Sequence, residues 1–100
     1  MIVISGLMEL APESADTFAG LCEPLVAATR EEPGCAEYRF ARSISDPAVF
    51  EIFEEWSDDA ALDEHVKADH YRTWGRALRD LEVKRMSIVR YDATGRTQLR

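Results

Sequence analysis

The sequence is short of cysteine: Cys22 and Cys35 are the only two in 100 residues, far apart and outside any CxxC spacing. That excludes a disulfide-built scaffold and argues for two reduced thiols rather than the single disulfide the count allows. Long apolar runs are also missing. The N-terminus reaches Ser5, Gly6 and Glu9 almost at once, which is too short a run for a signal peptide or a membrane span. Positive charge is scarce as well. Twelve Lys and Arg against nineteen Asp and Glu leave a formal net charge of −7, a balance that repels phosphate backbones and anionic lipid. Neither nucleic acid nor membrane is therefore an expected partner, and a cytoplasmic location is expected. No Gly-rich phosphate loop, HExxH or GxSxG occurs, which removes most large enzyme classes. What remains is 46% hydrophobic and 31% charged, the composition of one globular domain. A chain this size buries roughly two-thirds of its unfolded surface.

Periodicity orders the elements. Ile2 through Leu10 is β-rich and ends before Pro12, which cannot serve a central ladder. From Glu13, Phe18, Leu21, Cys22, Leu25, Val26 and Thr29 repeat at i, i+3, i+4, i+7, i+8 and i+11, the stripe of an amphipathic helix. Pro24 lies inside that stripe without shifting its register, so a kink is expected rather than a break. Pro33-Gly34 stops the helix. Two strands follow, Cys35 to Ser43 and Ala48 to Ser57, joined through the turn-forming Ser45-Asp46-Pro47. Ser57 or Asp58 is expected to cap a helix with Ala61, Leu62, His65 and Val66 on one side, and Asp69 to cap another carrying Tyr71, Trp74, Leu78 and Leu81. Val83 to Tyr91 is the last strand. The order is βαββααβ, an α+β ferredoxin-like pattern with an antiparallel sheet. The domain is expected over residues 1–91, with 92–100 a polar tail.

Both sides of that sheet carry apolar residues. Phe50, Ile52 and Trp56 share one parity while Val49 and Phe53 take the other; Ile2, Ile4, Met8 and Leu10 oppose Val3 and Leu7. Helices cover one side only, so the other needs a second copy, and a homodimeric α+β barrel is the expected assembly.

The block from Glu54 to Trp74 holds both histidines and both tryptophans. His65 falls on the core-facing side of its helix. An imidazole there can take or give a proton near neutrality, although spacing alone favours a core residue satisfied by a carbonyl or by a carboxylate such as Glu54. His70, beside a helix start, reads as exposed. The two are about 500° apart on a continuous helix, so only a break before Asp69 would join them with Glu54 as metal ligands. Nothing in the spacing demands this, and no metal is expected.

Four stretches carry a resemblance: Glu32-Pro33-Gly34-Cys35-Ala36-Glu37-Tyr38, Phe53-Glu54-Glu55-Trp56, Ala60-Ala61-Leu62-Asp63-Glu64-His65, and His70-Tyr71. Together they resemble the antibiotic biosynthesis monooxygenase family over about residues 2 to 91. The resemblance implies a dimeric α+β barrel with one pocket per subunit between sheet and helices. Some members oxidise phenols or quinols with O2 and need neither metal nor flavin, others degrade haem, and others isomerise small substrates. Haem cleavage is disfavoured, because the pocket asparagine of that branch's first strand is absent from Ile2 to Leu10. For this chain the resemblance implies a cofactor-free monooxygenase taking a small aromatic substrate and O2. His65 would be the base or hydrogen-bond partner and Glu54 would orient it. Trp56, Tyr38, Phe53, Tyr71 and His70 would line the pocket, and Arg39 or Arg90 would steady an oxyanion. An isomerase using the same base, or a non-catalytic ligand-binding dimer, accounts for the same residues.

Overall fold

The computed structural model describes residues 1–100. Its elements are β1 (Ile2–Leu10), α1 (Ala15–Arg30), β2 (Cys35–Arg42), β3 (Val49–Trp56), α2 (Asp59–Lys67), α3 (Asp69–Leu78) and β4 (Val83–Asp92), with one 3-10 turn at Pro12–Ser14. The order is the expected βαββααβ. The strands form one antiparallel sheet, β2-β3-β1-β4, which is the ferredoxin-like arrangement.

Alternation divides the sheet into two faces. Ile2, Ile4, Met8 and Leu10 in β1, and Phe50, Ile52, Glu54 and Trp56 in β3, turn toward the helices and are buried. Phe18, Cys22, Leu25 and Thr29 of α1 meet them. Met8, Leu10, Phe18, Leu25 and Trp56 are at most 1% exposed. Each such side chain contributes about 1.5–3 kcal/mol, so the stabilising burial is concentrated over β1 and β3. β4 is different: Met86 and Ile88 on its helix side are 53% and 49% exposed, and Val89 and Tyr91 on the other are also open. The open face carries Val3, Leu7, Val49 and Phe53 among Glu51, Arg39 and Ser5, an apolar set interrupted by charge.

α1 continues through Pro24 without a break. Gly20, whose carbonyl loses its donor there, is exposed, so water can take that bond. Asp58 caps α2, its Oδ1 accepting from the Ala61 N–H at 2.9 Å. The second cap differs from expectation. Ala68, extended at φ −69° and ψ 147°, is the residue before α3, and Asp69 is the first helical residue with no capping bond. Its carboxylate still favours the positive end of the helix. Val66 also departs from expectation and is 43% exposed, because the short α2 buries only His65. Both cysteines are free, Cys22 buried and Cys35 half-buried. No helix is long and apolar enough to cross a membrane.

Candidate functional site

The turn between α1 and β2 builds one side of the site. Gly34 takes φ +83°, a conformation L side chains rarely adopt, and its carbonyl accepts from the Ser57 N–H at 2.8 Å. A Cβ placed there would lie 2.6 Å from Ala61 Cβ and 2.7 Å from Ser57 Oγ. Glycine thus lets the first turn of α2 close onto this loop, and that closeness brings Glu32 within reach of His65, 33 residues later.

Glu32 Oε2 accepts from His65 Nδ1 at 2.8 Å and from His70 Nε2 at 2.6 Å. The extended Ala68 makes the shared contact possible. It breaks the helix between residues 65 and 70, which a continuous helix would hold on different faces. His65 is 2% exposed, its ring centroid 4.8 Å from Trp56, 4.9 Å from Tyr71 and 5.2 Å from Tyr38. Its Nε2 faces the Tyr38 hydroxyl at 3.4 Å. That is long for a hydroxyl hydrogen bond, so Nε2 is the loosest polar contact of the cluster. With Nδ1–H committed to Glu32, Nε2 carries the lone pair.

Burial sets the protonation states. It lowers the pKa of His65, with the Glu32 hydrogen bond and charge pulling the other way. Burial also raises the carboxyl of Glu54, opposed by its hydrogen bond to Trp56 and reinforced by the charge of Glu32. Tyr38 and Tyr71 are likewise pushed up by burial and then by Glu54. Burial thus pushes His65, Glu54, Tyr38 and Tyr71 alike toward their neutral forms.

Several expected residues come together here, and others do not. His65, His70, Tyr38, Trp56 and Tyr71 form one cluster. Glu54 shares their side of the sheet, but its Oε1 accepts from Trp56 Nε1 at 2.8 Å, and the carboxylate hydrogen-bonded to His65 is Glu32. Phe53 lies on the opposite face, where the Arg39 guanidinium stacks over its ring at 4.8 Å, so neither reaches the cluster. Arg90 is exposed and paired with Asp59 and Asp92. Glu32 is the residue the spacing did not reveal. Its one signal was its place at the head of the Glu32-Pro33-Gly34-Cys35 stretch.

Two cavities flank the cluster. One of about 220 Å³ lies between α1 and α3, bounded by Leu21, Leu25, His70, Thr73 and Trp74. Another of about 430 Å³ opens beside Glu32, Gly34, Ser57, Ala61 and Glu64. A separate cleft of about 400 Å³ between α1 and β2, lined by Cys22, Val26, Arg30, Phe40 and Arg42, touches neither histidine.

Comparison with known proteins agrees with this architecture. Residues 1–77 match the family described as antibiotic biosynthesis monooxygenase. An uncharacterised protein of Synechocystis is 30% identical over 90 residues, 90% of this chain, and the chain spans 61% of that relative's length. A Bacillus subtilis protein named as a candidate monooxygenase is 27% identical over 90% of this chain and 95% of its own. Among solved structures, one described as an antibiotic biosynthesis monooxygenase superposes with a TM-score of 0.85 at 30% identity, covering 95% of this chain and 100% of the other. A Deinococcus radiodurans protein reaches 0.90 at 27%, covering 100% and 99%.

Proposed function

Because the chain belongs to the antibiotic biosynthesis monooxygenase family, we propose that it oxidises a small electron-rich phenol or quinol with O2, without flavin or metal. The observation that carries this reading is His65: a buried imidazole whose Nδ1 proton is held by Glu32 and whose Nε2 lone pair faces an aromatic cage. A substrate hydroxyl taking the place of the Tyr38 hydroxyl at Nε2 would give up its proton there. The imidazolium so formed is stabilised by Glu32. Trp56, Tyr38 and Tyr71 provide flat walls, and His70 borders the cavity beyond. Glu54 keeps Trp56 in place rather than orienting the imidazole.

The resulting phenolate or carbanion is electron-rich enough to pass one electron to O2 directly. Recombination of the carbon radical with superoxide forms a C–O bond, and the peroxide loses water. For an anthrone-like substrate the atoms balance as follows. The methylene carbon gives up both hydrogens and keeps one oxygen atom, becoming a ketone, and those hydrogens leave with the second oxygen atom as water. Excluding bulk water keeps superoxide beside the radical. The unit is proposed to be a homodimer closed over the open sheet face, acting in the cytoplasm, with the domain ending near residue 91 and residues 92–100 outside it.

The test is oxygen uptake with hydroquinones and anthrone-like phenols. Wild type should consume O2, and His65→Ala and His65→Gln should lose roughly 10²–10⁴-fold, the usual contribution of a positioned base. Circular dichroism of both variants should match the wild type, so that a loss of rate is not a loss of fold. Equal rates would remove His65 from the chemistry, and product formation without O2 uptake would make the protein an isomerase. Substrate bound but unchanged would leave a binding module.

A further inference from the structure

We propose that Glu32, His65 and His70 form a binding site for a divalent late first-row metal ion of the zinc type, and that the ion and the proton-abstracting form of His65 exclude each other. The proposal concerns the same side chains as the oxygenase reading but does not need that reading to hold. Its ground is the convergence of one carboxylate and two imidazole nitrogens, no two of the three ligand atoms being more than 4.8 Å apart. Two histidines and a glutamate are a donor set that zinc takes in sites with an open coordination position. Bonds of about 2.0–2.2 Å put neighbouring ligand atoms roughly 3–3.5 Å apart around such an ion. The carboxylate contacts of 2.8 and 2.6 Å are slightly inside that spacing. The widest of the three separations, up to 4.8 Å, lies outside it, so a bound ion would have to draw Glu32 and the partly exposed His70 inward.

Charge points the same way. The side-chain contacts of the Glu32 carboxylate go to the two imidazoles, and no lysine or arginine lies within ion-pair distance of it. Glu54, itself buried, feels that charge as repulsion. A dication would neutralise it. Access is also present: the His70 side chain is 27% exposed and borders the cavity between α1 and α3, while Glu32 lines the cavity on the other side.

The consequence for His65 follows from its two nitrogens. A metal on Nδ1 needs that lone pair, so the ring's one proton must move to Nε2. Nε2 then donates to the Tyr38 hydroxyl or to a substrate oxygen and can no longer accept a proton. Metal occupancy converts the base into a donor.

Zinc and cobalt(II) are the probes, added to the full-length chain after chelator treatment. Cobalt should give visible absorption saturating at one equivalent per chain, and zinc should compete it away. His70→Ala and Glu32→Gln should each weaken binding by more than about tenfold, since even partners outside the first shell of a metal cost that much. The chain has only two histidines, so the ring resonances of the wild type read both directly. They should shift together up to one equivalent of zinc, whatever the variants do to folding. No saturable binding, unchanged affinity in both variants, or a shift of one ring alone would overturn the site. Zinc should also suppress oxygen uptake with a midpoint matching its binding, and full activity in the zinc-saturated protein would overturn the exclusion. If no substrate is oxidised at all, the oxygenase reading fails, and the spectroscopic arms still decide the metal site.

Discussion

Replacing Gly34 with alanine perturbs the site without altering the side chains of Glu32, His65 or His70. The backbone there holds φ +83°, which costs an L residue about 1–2 kcal/mol. The new methyl also meets Ala61 Cβ at 2.6 Å and Ser57 Oγ at 2.7 Å, closer than real Cβ contacts come. Relief requires the start of α2 to back away from the loop, and overpacking of this kind costs typically 1–3 kcal/mol. The stiffer unfolded chain returns about 0.4–1 kcal/mol. The net destabilisation is about 1–4.5 kcal/mol, and at 4–8 °C per kcal/mol for a domain this size the melting temperature should fall by roughly 4–36 °C. Calorimetry of Gly34→Ala, Ala61→Gly and the double variant resolves the two contributions. Removing the Ala61 methyl should recover part of the clash and none of the backbone cost, giving a favourable coupling in the cycle. The retreat of α2 should also lengthen the contact between Glu32 and His65, which the His65 ring resonances report. A melting point within about 2 °C of wild type would refute the claim that this loop is held by close backbone approach.

Three further outcomes follow from the geometry. The Glu54 carboxyl is raised above its ordinary value by burial, so the folded state binds its proton more tightly than the unfolded state. The contribution is present at acid pH and is lost as pH rises through the raised value. Glu54→Gln keeps an acceptor for Trp56 Nε1, so its melting point should gain on the wild type's as pH rises above the ordinary carboxyl value of about 4.3, and parallel curves would contradict this. Glu32→Ala leaves the Nδ1–H of a 2% exposed imidazole without an acceptor, a cost of about 1–3 kcal/mol measurable by urea titration; unchanged stability would show that water enters. Phe53→Asp charges the open face far from the histidines. Light scattering should then move from twice the 11.3 kDa chain mass to one, and a variant that stays at twice would place the interface elsewhere.

The sequence carries the fold in its periods. Alternation in β1 and β3 and the Phe18–Cys22–Leu25–Thr29 stripe are local patterns, and local patterns survive into structure because burial enforces them. The same alternation puts Phe53 on the face away from Trp56, so its parity excludes it from the pocket. Glu54 shows where parity stops: it faces the helices as Trp56 does, and only three-dimensional placement shows that the indole nitrogen two residues on takes its oxygen. Glu32 is further out of reach. Its pairing with His65 depends on a glycine conformation and on helix docking, neither written in spacing. The break at Ala68 is equally nonlocal in its effect, since one extended residue converts two histidines on different helix faces into neighbours on one oxygen.

Alternation along β2 and β3 also assigns adjacent residues to separate tasks. Tyr38, Phe50, Ile52 and Trp56 face the helices, Tyr38 and Trp56 against the imidazole, while Arg39, Glu51 and Phe53, each next in the chain to one of these four, form the outward surface. A lineage can therefore redesign whatever meets that surface by exchanging alternate codons and leave the aromatic enclosure untouched. An inserted or deleted residue within either strand has no such freedom, because it swaps the two sets at a stroke and spoils both.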